Sequence, residues 1–166
     1  MDISGIGEMN YIYNLRKIIG HDLILGVGCS VLIENEKGQL LLQKRSDTGE
    51  WCVPGGGLEP IETFEEAAIR ELREEVGINV KDLRLFGLYS GEDRLIKYPN
   101  KDVVYSLSVI FITDKYEGEI SNSDSEVLDH QFFDRESIPR DELFYPDARP
   151  ILDWADGKYA VTVDGK

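Results

Sequence analysis

The chain has 166 residues, 42% apolar and 30% charged, an ordinary balance for one globular domain with its own core. Its 18 basic and 32 acidic residues leave a formal net charge of −14. That argues against broad binding along a nucleic-acid duplex, but not against a small phosphorylated compound arriving with a cation. Two cysteines, Cys29 and Cys52, are too few for a disulfide scaffold, and no apolar stretch reaches the length of a membrane span. Reduced, buried thiols in a cytoplasmic protein are the expectation.

Residues 1–10 are acidic and glycine-containing, without the basic and apolar regions of a signal peptide. Residues 1–9 and 157–166 are expected to be flexible. Apolar residues at 11, 12, 15, 18 and 19 fit a short helix or an arm docked on something, and Tyr11 and Tyr13 are candidates to cover a neighbouring subunit's pocket. Residues 23–33 and 39–44 read as strands joined by a turn at 35–38, which predicts a hairpin. After a polar loop at 46–50, residues 51–53 form a short strand stopped by Pro54.

Gly55, Gly56 and Gly57 follow, and three glycines in a row imply positive φ or close backbone approach. Thr63 is a good N-cap with Glu66 as its capping-box partner. A helix is predicted over 64–76, with Phe64, Ala67, Ala68, Leu72 and Val76 on its apolar face and Gly77 as its C-cap. Strands are expected at 83–90, at 103–113 in a central position, and at 127–133, where Phe132 and Phe133 anchor it. Polar loops span 91–102 and 114–124, and a last helix starts at Tyr145 or Pro150 and runs to Trp154. Strands, helix, strands, helix predict an α/β sandwich with a mixed sheet between helices. No internal repeat or linker divides it, so one domain over 1–166 is expected.

The chemistry lies in residues 56–78: Gly56, five residues, Glu62, seven residues, Arg70-Glu71-Leu72, one residue, Glu74-Glu75, one residue, Gly77-Ile78. Glu71, Glu74 and Glu75 share a helix face, where like charges repel unless a cation joins them. Mg²⁺ takes such oxygen ligands and bridges to phosphates. Glu62 is close enough to add a fourth carboxylate, and the glycines let a backbone carbonyl approach the same ion. Arg70 reads as the fork that pins Glu62, not as a group touching substrate.

Those residues resemble the Nudix hydrolases, whose signature this is; every fixed position is met, over 23 of the 166 residues. The flanks agree: a strand ending Leu40-Leu41-Leu42-Gln43-Lys44-Arg45, Trp51 leading into Pro54-Gly55-Gly56, and Phe133 with Pro139 near the end. One companion differs, since Ile61 stands where a glycine often precedes the first motif glutamate. The resemblance implies a Nudix-type α/β/α sandwich and metal-dependent hydrolysis of the diphosphate linkage in a small nucleoside diphosphate derivative. Nucleoside triphosphates and ADP-ribose-like compounds are nearly tied; the alternatives are RNA 5′-end pyrophosphohydrolysis and a non-catalytic nucleotide sensor.

By the same resemblance Glu71, Glu74 and Glu75 would be the chief ligands of Mg²⁺ or Mn²⁺, helped by a carbonyl of Gly55 or Gly56 and, less directly, by Glu62. The general base would be a motif glutamate such as Glu74 or a late-loop acid, Glu126 ahead of Asp124. Arg45, Tyr89, Tyr98, Tyr105 and Phe133 are the candidate substrate contacts. A monomer or a homodimer is expected.

Overall fold

The computed structural model describes residues 11–121, 125–158 and 162–163. The expected flexibility of residues 1–9 and of most of 157–166, and the candidate Asp124, lie outside the described residues. In chain order the elements are α1 (Tyr11–Ile19), β1 (Ile24–Ile33), β2 (Leu40–Arg45), β3 (Trp51–Cys52), β4 (Gly55–Gly57) and α2 (Phe64–Glu71), which continues into a π-helical turn at Leu72–Val76. Then come β5 (Asn79–Val80), β6 (Arg84–Tyr89), β7 (Leu95–Lys97), β8 (Val103–Thr113), β9 (Tyr116–Glu117), β10 (Val127–Phe133), α3 (Tyr145–Ala155) and β11 (Thr162–Val163).

The main sheet runs β11-β6-β8-β1-β4, with β7 also on β8. β1 and β8 are parallel while their other neighbours are antiparallel, so the sheet is mixed, with β8 central as expected. Alternate residues of these two strands face two separate cores. Leu32, Ile110 and Ile112 pack with Ile151 and Trp154 of α3. Val31, Ile33, Val109 and Phe111 pack with Ala67, Ala68 and Leu72 of α2 and its extension. That is the α/β/α sandwich. β2 adds Leu40 and Leu42 to one core and Leu41 to the other.

The predicted β1–β2 hairpin does not form. Its turn closes, with the Gly38 N–H donating to the Asn35 carbonyl at 2.9 Å, but only one bridge, Glu34 to Leu40, follows. β1 is apolar on both faces and has partners on both edges, β8 and β4, so β2 pairs with β10 and β3 instead. The polar loop at 91–102 contains β7, another departure from the sequence reading. Among the described residues, no helix is long and apolar enough to cross a membrane.

Candidate active site

The motif folds as strand, loop and helix. Thr63 caps α2 as the sequence indicates: its Oγ1 accepts the Glu66 N–H at 3.2 Å, and Glu66 Oε2 accepts the Thr63 N–H at 2.8 Å. Ala67, Ala68, Leu72 and Val76 are fully buried, but Phe64 is 47% exposed because it lies in the first turn, off the packed stripe. At Leu72 the winding changes, and the Gly77 N–H donates to the Leu72 carbonyl five residues back at 3.0 Å. This wider turn re-aims Glu74 and Glu75 relative to an α-helix.

Two glycines allow close approach. Gly55 has φ +149°, and a Cβ there would lie 2.4 Å from the Cys29 carbonyl oxygen. A Cβ at Gly56 would lie 2.4 Å from Glu71 Oε1. The Glu71 carboxylate therefore rests on the bare backbone of β4. Glu75 Oε2 accepts the Gly55 N–H at 2.8 Å and Gln43 Nε2–H at 3.0 Å, tying the helix to both β4 and β2.

Arg70 organises the rest. Its Nε and Nη2 donate to the two oxygens of Glu62 at 2.7 and 3.1 Å, the fork its spacing suggested. Nη2 also donates to the Gly57 carbonyl at 3.0 Å, and Nη1 to Glu71 Oε1 at 2.6 Å, with Glu74 Oε2 3.5 Å away. The Arg70 fork holds Glu62 below the usual carboxylate range. Burial pushes Glu71 above it in spite of the same guanidinium, because the ionised form has lost water against β4.

The all-oxygen donor set of Glu62, Glu71, Glu74, Glu75 and the glycine carbonyls suits a hard divalent cation. Two features of the fold fit one: the cradle at Gly56 that a Cβ would fill, and the buried Gln43 Oε1 beside Glu75, which lacks a hydrogen-bond partner. Among the described residues no three acidic, histidine or cysteine side chains yet converge as a ready ligand cluster. Arg70 draws Glu71 to itself, the Gly55 N–H draws Glu75, and Glu74 is 58% exposed.

β4 forms part of the wall of a cavity of about 490 Å³. The wall also takes Arg45 and Gln43 from β2, Tyr98 from the loop after β7, Ser106 and Ser108 from β8, and Phe144 and Asp147 at the start of α3. Arg45 is fixed there by a two-point bond to Asp47 at 2.8 and 2.7 Å and by the Phe144 ring, 4.4 Å from its guanidinium. Tyr98 is held above its ordinary pKa by burial and by the acidic charges of Asp147, Asp47 and Glu126, with Arg45 opposing. Glu126 is therefore within electrostatic reach of the cavity. Its carbonyl accepts the Ser46 N–H at 2.9 Å, beside the strand end that carries Arg45.

The other three expected substrate contacts lie elsewhere. Tyr89 is 2% exposed and donates its hydroxyl to Asp153 at 3.1 Å, inside the α3 core. Phe133 is buried edge-on against Trp51, ring centroids 5.0 Å apart. Tyr105 alternates with the cavity-facing Val104 and Ser106, so it points to the opposite face, where its hydroxyl accepts the Gly91 N–H at 3.0 Å. Cys29 and Cys52 are both buried and unbridged.

The sequence reading missed Asp147 and Gln43. Asp147 Oδ2 accepts the Val53 N–H at 3.2 Å, two residues before the glycines, and burial pushes its pKa up to about 6, with Arg94 opposing. An acid directly after the proline of a helix start was the available signal; for Gln43 it was one amide after three buried leucines. A larger surface depression, about 740 Å³, opens at the β5–β9 edge, but it holds no motif residue, and its lysines 81 and 115 are paired with Glu117 and Asp82.

Residues 25–155 match the NUDIX domain model. The chain is 35% identical over 111 residues to an ADP-ribose pyrophosphatase of Methanocaldococcus jannaschii, covering 66% of this chain and 62% of that protein. It is 39% identical over 79 residues to an RNA pyrophosphohydrolase of Erwinia tasmaniensis, covering 44% of this chain and 45% of that protein. The match thus spans less than two thirds of the length of either relative. The crystal structure of a MutT protein from Bacillus halodurans shares the fold with a TM-score of 0.68 at 23% identity, covering 84% of this chain and 87% of that one. With the motif assembled on the fold that these matches share, the chain belongs to the Nudix family.

Proposed function

We propose that this protein is a divalent-metal-dependent hydrolase of the diphosphate linkage in a small nucleoside diphosphate derivative, with ADP-ribose-like compounds and nucleoside triphosphates as the substrate classes. One observation carries the reading: the Arg70 fork and the Glu75–Gly55 bond place the motif carboxylates against a strand that also walls a cavity able to hold a nucleotide. The acidic balance and the cavity carboxylate Asp147 weigh against RNA ends. Every motif carboxylate and glycine is present, which weighs against a non-catalytic sensor. Buried, unbridged thiols favour the cytoplasm.

Glu71, Glu74, Glu75 and a Gly55 or Gly56 carbonyl would hold Mg²⁺ or Mn²⁺, with Glu62 steadied by Arg70 behind them. The ion would lower the pKa of water and neutralise charge on the leaving phosphate. Arg45 offers its guanidinium to the diphosphate oxygens. Glu74, the most exposed of these carboxylates, accepts the proton of the attacking water on a side-chain oxygen, with Glu126 the rival base. Water oxygen bonds to one phosphorus, the bridging P–O bond breaks, and its electron pair leaves on the other phosphate.

The deciding experiment is a screen of purified protein with Mg²⁺ or Mn²⁺ against nucleoside triphosphates, ADP-ribose, sugar nucleotides, dinucleoside polyphosphates and 5′-triphosphate RNA, ranked by kcat/KM. Turnover of one of the small-nucleotide classes is expected. No turnover of any compound, or a clear preference for RNA ends, overturns the proposal.

A further inference from the structure

α1 is nine residues long and has no buried residue. A helix that short is marginal by itself. Polar bonds near its C-terminal end hold it. Arg16 Nη1 donates to the carbonyls of Gly20 and Asp22 at 3.1 and 2.6 Å, and Nη2 to the Val103 carbonyl on β8 at 3.0 Å. Asp102, just before β8, meets both Arg16 at 3.5 Å and His21 at 2.7 Å. Yet Tyr11 and Ile12, at the opposite end of the helix, line the same cavity as Gly55–Gly57 while 50% and 42% exposed. Packing among the described residues does not account for two large apolar residues kept at that wall. A flat ligand filling the cavity would.

We propose that α1 is the substrate-side wall of its own chain's cavity, with Tyr11 and Ile12 packing against the nucleobase of the ligand and Asp102 latching the helix in place. In this reading the helix serves its own chain's cavity, where the sequence had suggested a neighbouring subunit's. An aromatic face accepts any nucleobase, and Ile12 adds apolar contact, so the wall selects for a base without reading its edges. The proposal rests on the hydrolase reading and deepens it: the group beyond the diphosphate must include a base that reaches α1.

The test uses α,β-methylene ADP-ribose with Mg²⁺ as a non-hydrolysable probe, on the full chain. In the wild type, probe binding should slow amide hydrogen exchange across residues 11–19. Tyr11→Ala should weaken probe binding roughly ten-fold and raise KM more than it lowers kcat, and Tyr11→Phe should restore both. Asp102→Asn should speed exchange of 11–19 in the free protein and weaken the probe in proportion. Tight binding by Tyr11→Ala, or probe binding without protection of 11–19, overturns the wall and leaves the hydrolase reading standing. A wild type that neither binds the probe nor hydrolyses any nucleoside diphosphate overturns both.

Discussion

The motif end of the cavity and its α1 end are held in opposite ways. At the motif end one guanidinium bonds two carboxylates and a backbone carbonyl, and a third carboxylate is bound to a glycine N–H and a buried amide. The polar groups there support one another, which makes the geometry stiff. At the α1 end a short helix without buried residues hangs on Arg16 and Asp102. Elements with few buried contacts open most readily. On the proposed function, a stiff centre for the chemistry beside a loosely held wall for recognition would let one reaction serve different substrates, since the wall could vary without disturbing the carboxylates.

The largest effect that could break this contrast is at the motif carboxylates. Glu74→Gln should lower kcat/KM by about 10²-fold or more while the melting temperature holds, because a like-charge contact goes from an exposed side chain. Glu75→Gln should lower kcat/KM as much but also lower the melting temperature, because its carboxylate accepts the Gly55 and Gln43 N–H groups. Full activity in both variants would remove the assignment of the motif as the metal and catalytic centre.

A smaller effect separates the carboxylates by pH. Asp147 rises from its ordinary 3.8 to about 6 because burial penalises its charge. That penalty is absent well below pH 4, grows as pH climbs through about 6, and is complete above it. Asp147→Asn should therefore stabilise the protein by about 1–3 kcal/mol at pH 8 and by almost nothing at pH 4, measured by urea unfolding at both. Glu62 works in the other direction. Its depressed pKa gives stability that is present above the ordinary carboxylate value and lost as pH falls through its folded one. An equal gain for Asp147→Asn at both pH values would mean that its carboxylate is not desolvated.

The smallest effect concerns the loop between β4 and α2. Ile61 has φ +78° and is 59% exposed, a left-handed backbone that costs a β-branched residue about 1–2 kcal/mol. Ile61→Gly removes that strain but adds freedom to the unfolded chain, for a net gain of about 0.5–1 kcal/mol. A rise in the urea midpoint would show it. A fall would mean that the isoleucine side chain has compensating contacts.

The motif was legible because its information is local. Offsets within one helix, the Thr63–Glu66 cap and Gly77 can all be read from neighbouring residues. The π-turn was not, since its cue, one more residue per turn, leaves the same residue types in the same order. Strand positions were also legible, but the partners of β1 were not, because an apolar run does not say whether its edge meets the next strand or one much later. The cavity was harder still. Its wall comes from separate segments, and Tyr89 and Phe133 had the same aromatic character as Tyr98 until packing sent them to the core.

The pairing of β1 with β8 has a consequence for how the site comes into being. Ile24 pairs with Val104 and Ile33 with Thr113, each 80 positions apart, while β4, the glycine strand of the motif, pairs with β1. During synthesis α2 and its cap can form as soon as they emerge, but the sheet that fixes β4 must wait for β8. Closing so long a loop before its contacts are gained slows folding. The family motif is written in 23 consecutive residues, but those residues acquire their folded geometry only after most of the chain has been made.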